Sequence, residues 1–125
     1  MSLKRLPLIL ALILLIWGCS IARKEEPIWF PVKVTRICKE YANINTNIAE
    51  PQLSEHGILQ GVLFNVRFKD RIVAPRMAKT YTDVDRGRWV ALIDDDRLQI
   101  AISFGHAATD IGCKEGDVVY IQSQK

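Results

Sequence analysis

The 125-residue sequence is poor in the residue types that build metal and catalytic centres. Its only two histidines, His56 and His106, stand 50 positions apart, and its three cysteines include no Cys-x-x-Cys pair. A tetrahedral zinc site needs four nitrogen or sulfur ligands at close spacing, so no metal centre is expected. Asp94-Asp95-Asp96 lacks the alternating ligands and the glycine of a calcium loop; it reads as a solvated hairpin tip. No Gly-x-Ser-x-Gly elbow and no glycine-rich phosphate loop occur. Ser103 and His106 are near neighbours in the chain, but triads are recognised by spatial role rather than by sequence proximity. No catalytic residue and no cofactor are therefore expected, and an enzyme would require His106, Asp110 and a hydroxyl to converge in one cleft. Net charge is also small. Of the 17 Lys and Arg, Lys4 and Arg5 open the chain, which leaves 15 against 14 Asp and Glu. So even a balance argues against nucleic acid, which demands a clustered basic surface. Missing too are internal repeats and any long stretch of helical 3.6-residue periodicity.

What is present begins with the leader. Lys4 and Arg5 precede an apolar run over residues 6–16, followed by Trp17-Gly18-Cys19-Ser20, the layout of a secretory signal peptide. The run is shorter than the roughly 20 residues of a membrane span. Ile16-Trp17-Gly18-Cys19 resembles the lipobox of bacterial lipoproteins, with Ile16 and the bulky Trp17 departing from the usual leucine and small residue. The resemblance implies cleavage before Cys19, acylation of Cys19 with palmitate-type chains, and, with Ser20 next, the periplasmic side of the outer membrane. Two alternatives stay open. An uncleaved anchor over residues 6–22 would hold the protein at the inner membrane. Cleavage after Ala22, at the small-x-small triplet Ser20-Ile21-Ala22, would release a soluble periplasmic protein. The expected organisation is a signal peptide over 1–18, a lipidated tether over 19–27 and a single β domain over 28–125.

If Cys19 carries lipid, Cys38 and Cys113 remain, and an even pair in an exported protein reads as a disulfide. It would close a 76-residue loop, for about 4 kcal/mol in the chain-entropy account. The alternative is two unrelated buried thiols.

Along the body, β-branched residues over 28–41 predict a strand. Residues 43–56, with three Asn and Pro51, read as a loop, with a helical turn left open around Gln52 to Glu55, and its length makes it the leading candidate for a functional loop. Residues 58–68 read as the clearest strand, where Val62, Phe64, Val66 and Phe68 alternate with Leu63, Asn65, Arg67 and Lys69 in a period of two. A weaker strand is expected over 77–84, a hairpin around Asp94-Asp95-Asp96, a loop or short helix over 105–114, and a closing strand over 118–122. The expected fold is thus all-β or mainly β, a small barrel or sandwich of six to seven short strands. Its final Gly-Asp-Val-Val-Tyr-Ile resembles the last strand of OB-fold and SH3-like barrels.

Trp29 and Phe30, just after the tether, are placed to contact the membrane surface or a protein partner, or else to cover the open end of the barrel. The functional expectation is a small non-enzymatic lipoprotein that binds another envelope protein. It would serve as an accessory subunit of a secretion- or conjugation-type assembly, or as an exclusion factor. The alternative is a periplasmic OB- or SH3-like module or inhibitor that captures a peptide, glycan or hydrolase through its loops. Partners are the membrane, through the lipid, and an envelope protein; nucleic acid is not expected.

Overall fold

A computed structural model describes residues 26–125. The signal peptide over 1–18 and the lipid attachment at Cys19 lie outside the described residues. In chain order the elements are β1 (Trp29–Ile37), β2 (Ile44–Ala49), α1 (Glu50–Glu55), β3 (Val66–Phe68), β4 (Arg71–Val73), β5 (Arg76–Met77), a 3-10 turn (Tyr81–Asp83), β6 (Trp89–Asp94), β7 (Arg97–Ile102), α2 (Ala107–Ile111) and β8 (Val118–Gln122). The strands form one curled half-barrel sheet in the order β4-β3-β8-β1-β2-β7-β6-β5. The fold is mainly β, as the alternating patterns imply, with eight strands rather than six or seven.

The two ends of the sheet are tied together. Residues 61–64 run beside 75–77, where Phe64 N donates to Pro75 O (3.1 Å) and Met77 N to Val62 O (2.9 Å). The strand expected over 58–68 is thus divided: three residues sit in the main sheet, and the part before them closes the curl. Inside, alternate residues of each strand meet. Val32 and Val34 of β1, Ile44 and Ile48 of β2, Leu98 and Ile100 of β7, and Val119 and Ile121 of β8 pack around Phe64. Registers such as Ile44 opposite Ile100, and Ile100 opposite Ala91, place these side chains in one row on the concave face.

The convex face is not all solvated. Val90 and Leu92 of β6 and Ala101 of β7 point the other way and are buried by a second, smaller cluster with Ala78 and Val84. The segment over 78–84 is a flap across the outside of β6 and β7, pinned where Ala78 N donates to Ala91 O (2.9 Å). Residues 77–84 are for this reason not a strand of their own. Asp83 holds the flap in a 3-10 turn by accepting from Lys79 N and Thr80 N (both 3.1 Å). Those bonds, from Thr80 first and then Lys79, hold its carboxyl below the usual carboxylate range.

Two further expectations are corrected. Residues 44–49 form β2 instead of a loop, while the helical turn expected around Gln52 to Glu55 is present as α1. Asn43, Asn45 and Asn47 alternate with Ile44, Thr46 and Ile48, so the inward face is apolar enough to hold a strand in spite of asparagine's low strand propensity. The bridge from Cys38 to Cys113 is not formed; both thiols are free. Cys38 lies on the outer face within 3.8 Å of Asn45 Nδ2 and 3.9 Å of Gln99 Nε2, whereas Cys113 belongs to the inner core. The two sulfurs occupy different layers. The Asp94-Asp95-Asp96 hairpin is as expected. Asp95 (φ 50°) and Asp96 (φ 61°) take the two positive-φ positions of the turn whose twist suits a tight antiparallel pair.

Phe64 is 2% exposed at the centre of this packing. Phe64→Ala is expected to destabilise the domain by about 3–5 kcal/mol, measured by urea unfolding. A loss under ~1 kcal/mol would show that the two ends of the curl do not share a core.

Candidate functional site

The cleft that combines apolar walls with convergent polar groups, the usual signature of a ligand site, lies at the corner between β1 and β2. Tyr41, Asn43, Tyr81, Thr82, Ile102 and Phe104 line a cavity of about 260 Å³. Three separate stretches of chain build it. Tyr41 and Asn43 sit on the β1–β2 connection, with Ala42 between them at φ 50°. That corner is held by Cys38 N donating to Asn43 O (3.0 Å) and by Ala108 N, from α2, donating to Ala42 O (2.9 Å). Tyr81 and Thr82 come from the flap. Ile102 and Phe104 come from the end of β7.

The rim after β7 is strained. Phe104 is 63% exposed and sits at φ 57°, a region in which a bulky side chain is an outlier. Gly105 follows because a Cβ there would lie 2.5 Å from Ile102 Cγ2. Between two lining residues, Ser103 is fully buried, and its Oγ has no hydrogen-bond partner. Arg86 stacks its guanidinium 4.4 Å from the centre of the Phe104 ring. Strain and an orphaned hydroxyl that cluster beside a cleft are what a functional site accumulates.

Behind the aromatic walls runs a chain of amides. Asn43 Nδ2 donates to the Tyr81 hydroxyl oxygen (3.0 Å), Tyr81 O–H donates to Gln99 Oε1, and Gln99 Nε2 donates to Asn45 Oδ1 (2.7 Å). Asn45 and Gln99 face each other across β2 and β7, on the outer face. Burial raises the Tyr81 phenol above its ordinary value, with the charges of Asp94 and Cys38 adding to the effect. The hydroxyl therefore stays protonated and able to donate across the neutral range.

The residues singled out from sequence are scattered. Trp29 lies on the outer sheet face, where Arg67 stacks 4.6 Å from its ring and 5.2 Å from that of Tyr120. Phe30 packs against the core and stacks on His56, with centroids 3.8 Å apart. His106 precedes α2, and Asp110 is paired with Arg71 (3.0 Å), so these two do not form an acid–base site. No group of three or more potential metal ligands occurs among the described residues. A second, larger groove of about 650 Å³ between Arg76, Asp85, Arg88 and Trp89 mixes both signs of charge. The cleft residues were missed because Tyr41, Asn43, Tyr81 and Phe104 lie far apart in sequence; the asparagine alternation over 43–47 was the available signal.

A family model described as the SAM hydroxide adenosyltransferase C-terminal domain matches residues 34–120. The chain belongs to that family. Among solved structures, the chain is similar to an uncharacterized conserved protein from Thermotoga maritima. The TM-score is 0.70 and the identity 24%, over 79% of this chain and 39% of the other. It is also similar to a conserved hypothetical protein from Thermus thermophilus, with TM-score 0.52 and 23% identity over 73% of this chain and 34% of that one. Such identities show the fold alone, and the chain spans well under half of either relative. A comparison with curated proteins finds no match.

Family membership overturns the functional expectation. A domain of an enzyme family replaces both the non-enzymatic envelope accessory or exclusion factor and the alternative module for peptide, glycan or hydrolase. It also removes the description of the domain as part of an outer-membrane lipoprotein. Among the described residues, no helix is long and apolar enough to cross a membrane.

Burial pushes the Cys113 thiol up to about 11, with Asp117 contributing, which leaves almost no thiolate at neutral pH. A maleimide at pH 7 is expected to label the half-exposed Cys38 in the folded protein, and Cys113 only after unfolding. Equal labelling of both, or of neither under non-reducing conditions, would contradict this arrangement.

Proposed function

We propose that this domain is the adenosyl-gripping half of a SAM hydroxide adenosyltransferase. The observation that carries the reading is the cleft itself: three aromatic rings and one buried amide around a cavity of about 260 Å³. That volume falls just under the range for drug-sized ligands. It suits one flat ring system, with the ribose and the sulfonium end of S-adenosylmethionine lying beyond the rim. Aromatic faces stack on a base for about 1–3 kcal/mol each, and an asparagine amide matches the hydrogen-bonding edge of adenine. The family description supports the same ligand.

Adenosyl transfer to hydroxide forms a C5′–O bond and breaks the C5′–S bond, so that methionine leaves with the electron pair on sulfur. The cleft offers no carboxylate or histidine to handle the proton of an attacking water. Its contribution is to bind and orient the adenosyl group, and the residues that deliver hydroxide come from another domain or chain. A division of labour fits a chain that spans 39% and 34% of its two solved relatives.

The purified protein is expected to bind adenosine and S-adenosylmethionine in isothermal titration calorimetry. Phe104→Gly should weaken both by roughly 10-fold through loss of stacking. The same change should leave folding stability within about 1 kcal/mol, since relief of the left-handed strain offsets the entropy of glycine. Absence of binding at millimolar nucleoside, or a Phe104→Gly variant with undiminished affinity, would overturn the reading.

A further inference from the structure

The flap over 78–84 covers the convex face at β6 and β7 only. Across β4, β3, β8 and β1 the same face keeps large side chains in solvent: Ile72 is 56% exposed, Val118 42% and Tyr120 38%. Register gathers them. Ile72 stands opposite Arg67, and Arg67 opposite Tyr120; on the next strand Lys33 stands opposite Val118. Neighbouring strands lie about 4.8 Å apart, so these groups share one patch about 15 Å across. Arg67 lies over the rings of both Trp29 and Tyr120, at 4.6 and 5.2 Å, and so ties its charge to two aromatic side chains. The patch has one sign of charge. β1, β3, β4 and β8 contain no Asp or Glu. The carboxylates of Asp70 and Asp117 belong to the connections beside them, and that of Asp117 accepts from Lys114 N (2.7 Å).

We propose that this half of the convex face docks on an anionic phospholipid surface, with Ile72, Val118, Trp29 and Tyr120 entering the headgroup layer and Lys33 and Arg67 meeting lipid phosphates. Aliphatic and aromatic side chains set among cations are the composition that adsorbs to such a surface. Charge disfavours a second copy, because two such faces would bring Lys33 and Arg67 together with no carboxylate between them, and buried unpaired charge is costly. A single-stranded nucleic acid stacks its bases on open rings. Here Arg67 already lies over both rings, and the most exposed residues, Ile72 and Val118, are aliphatic. Chain connection favours the same occupant. The apolar residues of the leader end at Ala22, seven positions before Trp29, a reach of at most about 25 Å, so a leader held at a bilayer keeps this face beside it. The contact is peripheral and needs neither a spanning helix nor an acyl chain. It stands apart from the adenosyl-binding reading, which concerns the corner between β1 and β2.

The test is flotation of the purified full chain with vesicles of phosphatidylcholine alone and of equimolar phosphatidylcholine and phosphatidylglycerol. Wild type should partition more strongly to the anionic vesicles, and salt should reduce the difference. Lys33→Glu should weaken anionic partition by roughly fivefold or more, the effect of one cation near a charged bilayer. Ile72→Ser should weaken it by roughly fivefold through lost apolar burial. Both positions are exposed, so neither change disturbs the core, and the leader is common to every variant. A second readout separates the face from the leader even where the leader alone holds the chain on vesicles. A nitroxide-headgroup lipid should broaden the amide signals of Trp29, Arg67, Ile72 and Tyr120 and spare those of β6 and β7. Undiminished partition of both variants, broadening that spares β3, β4 and β8, dimerisation through this face, or capture of a single-stranded oligonucleotide in preference to anionic vesicles overturns the proposal. Each of these results leaves adenosine binding at the cleft to be decided by its own titration.

Discussion

The hydroxyl of Tyr81, held between Gln99 and Asn43, is the contact on which the site depends. It joins three parts of the chain that otherwise have separate reasons to be where they are: the flap over 78–84, the outer face of β7, and the corner that follows β1. Without it the flap would rest on its small apolar cluster with Val90, Leu92 and Ala101 and on the bond from Ala78 N to Ala91 O, and the cleft would lose one wall. A buried polar network of this type is favourable only when every member is satisfied. Each amide from Asn43 to Asn45 has at least one partner.

The sheet supplies the rigidity that such a network requires. Alternation in β2 and β7 sends Ile44, Ile48, Leu98 and Ile100 into the concave core and leaves Asn45 and Gln99 on the convex side, directly opposite each other. A one-residue slip would exchange the two sets. It would bury amides in a hydrocarbon core and place isoleucines under the flap. Packing energy on one face therefore enforces the position of polar groups on the other. The local cost is concentrated beyond the end of β7, in the positive φ of Phe104 and the unpaired Ser103 hydroxyl.

Much of the fold could be read from the sequence. Period-two patterns located the strands around Val66 and from Arg97 onward, and the aspartate hairpin followed from turn chemistry. The β2 strand was obscured because Asn45 and Asn47 occupy its outward positions and asparagine usually marks loops; tertiary burial of Ile44, Thr46 and Ile48 overrides that local preference. The flap was hidden for the opposite reason. Thr80, Tyr81, Thr82 and Val84 have strand-forming side chains, but Asp83 captures the backbone N–H groups of Lys79 and Thr80 and turns the chain instead. The cleft was illegible because it depends on long-range convergence, and the pairing of Cys38 with Cys113 failed because sequence parity carries no information about layers. The leader says nothing about any of this; its residues lie outside those described.

The central claim, that the corner between β1 and β2 with its flap is a nucleoside site, is tested most directly by titrating adenosine into the isotopically labelled chain and following amide shifts by nuclear magnetic resonance. The account predicts that perturbations centre on Tyr41, Asn43, Tyr81 and Phe104 and propagate through Gln99 to Asn45. Shifts centred instead on Arg67 and Tyr120, or on the groove between Arg76 and Arg88, would contradict it.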